Sequence, residues 1–175
     1  MSRQKGLTLV ELMVTLAVAI ILVAVGMPLF NSVAANNRAS AHTNMLVTAL
    51  NLARSEAVGR AETVTLCSSS SNPPGATPTC GDATQWGNGW FAFTDAGTLG
   101  TVDGSDERLR IWETPSGSLP TVAVTGSPFV TFNYLGSASA LSTFELSQSG
   151  ASGNPTRCVT LSATGQIRTV RAACP

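Results

Sequence analysis

The sequence predicts an α+β fold, with one long N-terminal helix packed on an antiparallel β-sheet domain. An uncharged and largely apolar run extends from Leu12 to Asn37, and apolar residues at three- and four-residue spacing follow it. From Thr63 the apolar period changes to two. The first spacing is that of a helix face and the second is that of a half-buried strand. A chain of 175 residues suits one globular domain with an N-terminal appendage.

The first helical segment is long enough to cross a membrane. Residues 7–30 are apolar except for two threonines and Glu11. As a helix they would extend about 36 Å, which exceeds the roughly 30 Å hydrocarbon core of a bilayer. Arg3 and Lys5 precede the segment. Because basic flanks stay on the cytoplasmic side, the rest of the chain is expected outside the cytoplasm.

Two ordinary interpretations fit this segment poorly. A cleavable secretory signal has an apolar stretch of about 7 to 15 residues followed by a small-residue cleavage site. Here the stretch is longer, and the small residue, Gly6, precedes it. A plain membrane anchor leaves Glu11 unexplained, because a carboxylate in lipid costs a few kcal/mol.

The sequence Gly6-Leu-Thr-Leu-Val-Glu11 resembles the class III leader of type IV pilins and type II secretion pseudopilins. The resemblance implies that residues 1–6 are a leader peptide, that a prepilin peptidase cuts after Gly6, and that the new N-terminus at Leu7 is methylated. Family members usually have Phe where this chain has Leu7. The resemblance also implies that Glu11 pairs with the N-terminal amine of a neighbouring subunit, which offsets the cost of its charge in lipid.

Residues 31–61 are predicted to form an amphipathic second half of the same helix, which ends near Gly59. Pro28 removes a backbone hydrogen bond within the helix, so a kink or local melting is expected there. His42 is expected to be a solvated polar residue near the helix surface. The predicted apolar stripe comprises Met45, Leu46, Ala49, Leu52, Ala53 and Ala57.

Residues 62–175 are predicted to form a β-rich globular domain. Short runs of alternating apolar residues are separated by clusters of Gly, Ser, Pro, Asn and Asp, which is typical of strands joined by turns. The predicted strands lie near residues 63–67, 89–94, 108–113, 121–125, 129–134, 143–146, 158–162 and 166–171.

The four cysteines all follow the apolar segment and form two local pairs in the sequence. Four cysteines allow three connectivities, and the short intervening loops favour Cys67–Cys80 and Cys158–Cys174. A zinc site is the alternative, but the chain has no CxxC motif and a single histidine. Two disulfides indicate an oxidising compartment.

The sequence contains no recognised catalytic motif. It has no HExxH, GxSxG or phosphate-binding loop, so we expect no enzyme activity, no cofactor and no metal. Asp103, Asp106 and Glu107 could bind calcium, but their spacing departs from that of an EF-hand loop, and a solvated acidic turn is expected. The three tryptophans could form a ligand platform, but Trp90 lies in an alternating strand and is expected in the core.

Three later segments narrow the resemblance to the GspH/FimT group of minor pilins and pseudopilins. They are ARSEAVGRAETVTLC at 53–67, GNGWFAFTD at 87–95 and ATGQIRTVRAAC at 163–174. The resemblance implies a type IV pilin-like fold and a structural subunit of either a type IV pilus or a type II secretion pseudopilus. It implies a single-pass protein of the bacterial inner membrane with a periplasmic C-terminal domain, whose partners are other pilin or pseudopilin subunits.

The same resemblance raises DNA binding as an alternative function. Some FimT-type minor pilins bind DNA during natural transformation, through a Gly-Arg-x-Arg patch on the C-terminal strand. In this chain Gln166 replaces the first arginine of that patch and Arg168 is retained, with Arg171 and Arg157 as further candidate phosphate contacts. Arg168 and Arg171 are separated by an odd number of residues, so their side chains would point to opposite faces of a regular strand. The alternative is an edge strand whose basic residues block edge pairing.

Overall fold

The computed structural model describes residues 8–104, 106–114, 121–147 and 155–175. The predicted cleavage and methylation site at Gly6 and Leu7 lies outside these residues. One long helix, a short 3-10 helix and eight strands are present in the described part, and all eight predicted strands are confirmed to within a few residues. The elements are α1 (Leu9–Arg60), β1 (Val64–Ser68), the 3-10 helix (Gln85–Asn88), β2 (Gly89–Thr94), β3 (Arg108–Glu113), β4 (Thr121–Thr125), β5 (Phe129–Phe132), β6 (Ser142–Ser147), β7 (Thr156–Leu161) and β8 (Ile167–Val170).

Helix α1 has a defined cap at each end. Thr8 is the N-cap, and its hydroxyl oxygen accepts a hydrogen bond from the backbone N–H of Glu11 at 3.3 Å. Ala61 adopts a left-handed conformation, and its N–H donates to the carbonyl of Ala57, which ends the helix next to the predicted boundary. The helix continues through Pro28 without a break, so the alternative of a melted segment is not found, and a kink there stays a prediction.

The domain contains two antiparallel four-stranded sheets. Their strand orders are β3-β2-β1-β5 and β4-β6-β7-β8. In the first sheet β1 is central and pairs with both β2 and β5. In the second sheet β7 pairs with β6 on one side and with the C-terminal strand β8 on the other. Helix α1 packs against both sheets, so the architecture is a long helix on antiparallel sheet, as predicted.

The main core lies between the second half of α1 and the inner faces of the two sheets. The predicted helical stripe is confirmed: four of its six side chains are fully buried, and Met45 and Leu52 pack partly against the same core. A fully buried Leu contributes about 1.5–3 kcal/mol relative to an exposed one, so this stripe holds the helix on the domain. The fully buried members are Leu46, Ala49, Ala53 and Ala57.

All three tryptophans are buried, which confirms the core assignment of Trp90. The Trp86 ring meets the Phe144 ring edge to face, with 4.8 Å between the ring centroids. A flat aromatic platform open to a ligand is therefore not formed by Trp86, Trp90 or Trp112.

The expectation that His42 is solvated is wrong. The residue is only 4 % exposed and its Nδ1 has no hydrogen-bond partner among the described residues. It lies three residues after buried Ala39 and four before buried Leu46, so it belongs to the apolar stripe, which begins earlier than predicted. Desolvation on burial lowers the pKa of His42 below its usual value of 6.5.

Candidate assembly surface and C-terminal arginines

The first half of α1 is an exposed apolar rod. The large apolar side chains described between Leu9 and Val33 are each more than half exposed in the single chain. The helix is long and apolar enough to cross a membrane. A contiguous apolar surface of this size must be covered by lipid or by other protein. Burial of the helix by the domain begins at Ala35, which is 5 % exposed.

Glu11 lies on this apolar rod and is exposed. Its carboxylate makes no ion pair with any described residue of its own chain. Thr8 and Glu11 have the Thr-x-x-Glu spacing of a capping box, of which the bond from Glu11 N–H to Thr8 is formed. Sequence reasoning missed this cap, although the spacing is visible in the sequence.

The two predicted disulfide pairs are both confirmed. Cys67–Cys80 joins β1 to the loop before the 3-10 helix, and Cys158–Cys174 joins β7 to the C-terminal tail. The Cys174 N–H also donates to Glu145 Oε2 at 2.8 Å, which holds the tail on strand β6. The C-terminal tail is therefore held on the domain by a covalent bond and a charge-assisted hydrogen bond.

The loop closed by Cys67–Cys80 is ordered by its own polar groups. The hydroxyls of Ser70 and Thr79 bond to each other at 2.7 Å. At the end of the loop, the hydroxyl and backbone N–H of Thr84 donate to the Asp82 carboxylate and lower the pKa of Asp82. These bonds explain how a segment rich in Ser, Pro and Gly packs without regular structure.

The register of β8 against β7 separates Arg168 from Arg171. Arg168 is opposite Thr160, whereas Thr169 is opposite Val159, which is part of the core. Paired residues share a face of the sheet, so Arg168 is exposed on the outer face. Arg171 has the parity of Thr169 and lies on the helix side, where it lines a groove next to α1. Arg168 and Arg171 therefore lie on opposite faces, as expected from the sequence.

Arg157 is not the exposed phosphate contact that the sequence suggested. It is 8 % exposed, because its strand position directs it toward the helix with Val159. Its guanidinium donates to the Thr156 carbonyl at 3.1 Å, to Asn36 Oδ1 at 3.4 Å and to Ser40 Oγ at 3.5 Å. Gln166, by contrast, is exposed on the hairpin before β8, two residues from Arg168.

The hairpin that contains Gln166 packs closely against helix α1 at Gly165. Gly165 has a φ of 77°, and a Cβ atom there would collide with the carbonyl of Gly136. Arg54 of α1 donates to the Thr164 carbonyl at 3.4 Å. Two of the segments that carried the resemblance, the end of the helix and the C-terminal hairpin, therefore meet in space, which sequence reasoning did not predict.

The acidic turn is held by hydrogen bonds within the loop. The backbone N–H groups of Thr98 and Ala96 donate to the carboxylates of Asp103 and Asp106. Glu107 pairs with Arg60 at 2.8 Å, and Arg60 also pairs with Glu56 at 2.7 Å. The hydrogen bond that Arg60 donates to Glu56, followed by the one that it donates to Glu107, raises the pKa of Arg60. Within the described ranges no group of His, Cys, Asp and Glu is arranged to hold a metal ion.

Comparison with known proteins gives a consistent result. Residues 42–165 match the family described as type II transport protein GspH, and residues 1–27 match the prokaryotic N-terminal methylation motif. No curated protein is significantly similar. Among solved structures, the type IV minor pilin FimU of Pseudomonas aeruginosa strain PAO1 is similar in two crystal forms.

One FimU structure has a TM-score of 0.54 and 20% identity, covering 81% of this chain and 88% of that chain. The other has a TM-score of 0.52 and 20% identity, covering 77% and 90%. At this identity the likeness shows a shared fold. The GspH match extends over well more than half of the sequence, so the chain belongs to the GspH/FimT family and has the fold of a type IV minor pilin.

Proposed function

We propose that this chain is a minor pilin or pseudopilin, a structural subunit of a type IV pilus or a type II secretion pseudopilus. The observation that carries the proposal is an exposed apolar half-helix, with one carboxylate on it, joined to a folded disulfide-containing domain in a member of the GspH family. The family and the fold indicate a structural protein and not an enzyme.

In this proposal the chain has four parts with separate roles. Residues 1–6 are removed by a prepilin peptidase, and Leu7 becomes a methylated N-terminus. Residues 7–30 hold the subunit in the inner membrane before assembly and form the centre of the filament after it. Residues 31–61 attach the rod to the domain through the buried stripe. Residues 62–175 form the periplasmic domain.

Glu11 makes assembly favourable over remaining alone in lipid. A carboxylate at the centre of a membrane helix costs about 2.5–3.5 kcal/mol on insertion scales, and Glu11, the fifth residue of the segment, costs at most that amount. The freed amine of Leu7 in a neighbouring subunit is a cation, and pairing the two groups offsets much of that cost. The exposed position of Glu11 and the lack of an ion-pair partner among the described residues of its own chain support this role.

The test replaces Glu11 by Gln, which keeps the shape of the side chain and removes its charge. We expect Glu11→Gln to insert into the membrane normally while its recovery in sheared filaments falls at least several-fold. Glu62→Gln is a matched control, because Glu62 is exposed at the far end of the helix and outside the apolar rod. Equal incorporation of the two variants would contradict the pairing role of Glu11.

A second candidate function is DNA contact at the outer face of β8. Arg168 in β8 and Gln166, which directly precedes the strand, are both exposed and are two residues apart. Residues at this spacing lie on the same side of an extended backbone. One or two arginine–phosphate contacts give weak binding without sequence preference, and we expect a dissociation constant of about 10⁻⁴ M. The chain has ten basic and ten acidic residues, so the attraction must be local.

This candidate is tested by titrating a short DNA duplex at low salt. We expect Arg168→Gln to abolish the signal and Gln166→Arg, which restores the Gly-Arg-x-Arg pattern, to strengthen it. Arg110→Gln removes the same charge from an exposed position on strand β3 and is the matched control. Identical titrations for Arg168→Gln and the wild type would exclude DNA contact at this face.

A further inference from the structure

Strand β4 forms one edge of the second sheet and pairs there only with β6. The five residues of β4 pair with β6 without a register shift. In an antiparallel ladder every second residue directs its N–H and C=O groups to the other side of the strand. On that side no described residue forms a backbone hydrogen bond with β4. The 3-10 helix packs close to β4, and its Trp86 meets Phe144 on the inner face of the sheet. Among the described residues the free edge of β4 is therefore unpaired.

The other three sheet edges each carry a feature that hinders the addition of a strand. Strand β3 has three charged residues, and a register shift interrupts its pairing with β2. The free side of β5 is partly occupied, because the N–H of Ser139 donates to the carbonyl of Thr131. Strand β8 has four residues and carries Arg168, which would repel the same residue of a second β8. Charges, irregular pairing and covered edges are means by which proteins prevent edge-to-edge association.

Strand β4 has none of these features. It contains no charged residue and no proline, and no residue from Thr114 to Phe144 is charged. Val124 on its inner face is only partly buried, and Ala123 and Thr125 on its outer face are exposed. A further strand would cover Val124 and bond the free N–H and C=O groups of β4. An edge of this kind favours pairing with another strand.

The direction of the strands determines which partner fits this edge. Arg157 near the start of β7 donates to Asn36, whereas Thr164, just beyond the end of β7, accepts from Arg54. Strand β7 therefore runs in the direction of α1. Because each neighbouring pair in this sheet is antiparallel, β4 also runs with α1 and β8 runs against it. Two copies whose helices point the same way consequently bring β8 of one copy antiparallel to β4 of the other.

Pairing of two identical edges is disfavoured by the same geometry. An antiparallel pair of β4 strands, or of β8 strands, would make the two helices point in opposite directions. Two rods inserted in one membrane from the same side exclude that arrangement. A parallel pair would keep the helices aligned, but parallel pairing is slightly less stable per residue. The partner that fits β4 is therefore β8.

The strand register defines which residues would meet. Paired residues form rows across the sheet, and two rows on the outer face run from β4 to β8. One row is Thr125, Thr143, Thr160 and Arg168, and the next is Ala123, Glu145, Cys158 and Val170. If the sheet continues level between two copies in one membrane, Arg168 of one copy lies beside Thr125 of the other, and Val170 lies beside Ala123. All four of these side chains are exposed, and neither contact places like charges together.

We propose that strand β4 binds strand β8 of a second copy of this chain, which joins the second sheets of two adjacent subunits into one sheet. The inference rests on the proposed membrane insertion of residues 7–30, because a shared membrane aligns the two helices. Helix α1 packs on the inner face of the sheet, so both helices lie on the same side of the joined sheet. The contact is head to tail and leaves one free β4 and one free β8, so further subunits can be added.

Site-specific cross-linking tests this pairing. Full-length Ala123→Cys and Val170→Cys chains are purified separately in neutral detergent, mixed and treated with a short bis-maleimide. This reagent reacts with the introduced thiols and not with the two native disulfides, which leave no other free cysteine. We expect the mixed dimer to form several-fold more than either same-site dimer. Arg110→Cys, on edge strand β3, replaces Ala123→Cys in the matched control and should give only background cross-linking.

An exchange of charges makes the test specific to the predicted row. Thr125→Lys in the Ala123→Cys chain places a like charge beside Arg168 of the second copy and should lower the yield of the mixed dimer by about twofold to fivefold. Arg168→Glu in the Val170→Cys chain should then restore the yield. Within one chain Thr125 and Arg168 are separated by three strand spacings, about 14 Å, so the restoration must arise between chains.

Each other outcome has a defined meaning. A mixed yield equal to that of the Arg110→Cys control would overturn the pairing, as would a loss in Thr125→Lys that Arg168→Glu does not restore. An excess of the same-site Ala123→Cys dimer would overturn β8 as the partner and assign the edge to a second β4. Flotation of the wild-type chain with phospholipid vesicles tests membrane insertion separately. A chain that forms the mixed dimer in detergent but does not float would retain the pairing and contradict the proposed anchor, whereas a chain that floats without forming it would contradict only the pairing.

Discussion

At Gly165 the backbone adopts a positive φ, which residues other than glycine rarely do. The space that a Cβ atom would need is occupied by Gly136 and Arg54. Gly165→Ala should therefore lower the free energy of unfolding by about 1–3 kcal/mol. Gly75→Ala is the matched control, because no atom lies within 4 Å of a Cβ added at Gly75. Urea unfolding of a chain truncated to residues 32–175 measures both variants. Equal stabilities would show that the hairpin accommodates a side chain.

His42 gives the stability of the domain a specific dependence on pH. Its folded-state pKa is below the usual 6.5, so on acidification the unfolded chain binds a proton before the folded chain does. Stability should be unaffected above about pH 7 and should fall as the pH drops below about 6.5. His42→Gln removes this contribution. Unfolding free energies of the two proteins at pH 7.5 and 5.5 provide the measurement, and parallel changes would contradict a buried neutral His42.

The errors at single residues have a common physical cause. His42 and Arg157 were expected at the surface because polar side chains usually are. Both are buried where the second half of the helix meets the domain. Burial there depends on which strand is packed against which helix face, and that arrangement is set by residues more than a hundred positions apart, such as Asn36 and Arg157.

At the level of elements, the disulfide Cys158–Cys174 should stabilise β8 and the tail in particular. A disulfide closing a loop of this length contributes about 3 kcal/mol in the chain-entropy description. Replacing both cysteines by Ser should speed amide exchange in β8 while β1 stays protected. The matched double variant at Cys67 and Cys80 should loosen the loop before the 3-10 helix and leave β8 protected. Identical exchange patterns in the two variants would contradict local action of the bridges.

Elements were more predictable than their arrangement. The alternation of side chains is a local signal, and it predicted all eight strands. The helix was expected to end near Gly59, and it ends at Arg60. The division into two sheets was not predicted, because strand order depends on distant pairings. Strand β5, for example, pairs with β1 and not with β4, its neighbour in the sequence. The disulfides were predictable because each closes a short loop.

At the scale of the whole molecule, two parts of one helix require different surroundings. The apolar rod is exposed in the single chain, whereas the stripe beyond Ala35 is covered by the domain. The sequence predicted this division because an uncharged run changes into an amphipathic one. It could not predict that Arg157 and Arg171 lie next to the helix, because their positions depend on how the strands of the second sheet pair.

Processing after Gly6 should convert the precursor into the assembling form. Gly6→Val replaces the small residue that the peptidase site requires, so we expect an uncut chain that is retained in the membrane. Gly26→Val is the matched control, because no neighbouring atom lies within 4 Å of a Cβ added at Gly26. Intact-mass measurement of membrane protein distinguishes the two variants, and normal cleavage of Gly6→Val would contradict the leader assignment.

The most direct test of a processed, assembling subunit is the mass of the chain recovered from sheared filaments of cells with an active prepilin peptidase. We expect a chain that begins at Leu7, carries one N-terminal methyl group and retains both disulfides. We also expect Glu11→Gln to deplete this species strongly from the filaments while leaving it in the membrane. A wild-type chain that still begins at Met1, or that is cleaved but absent from filaments, would show that the protein is not a processed filament subunit.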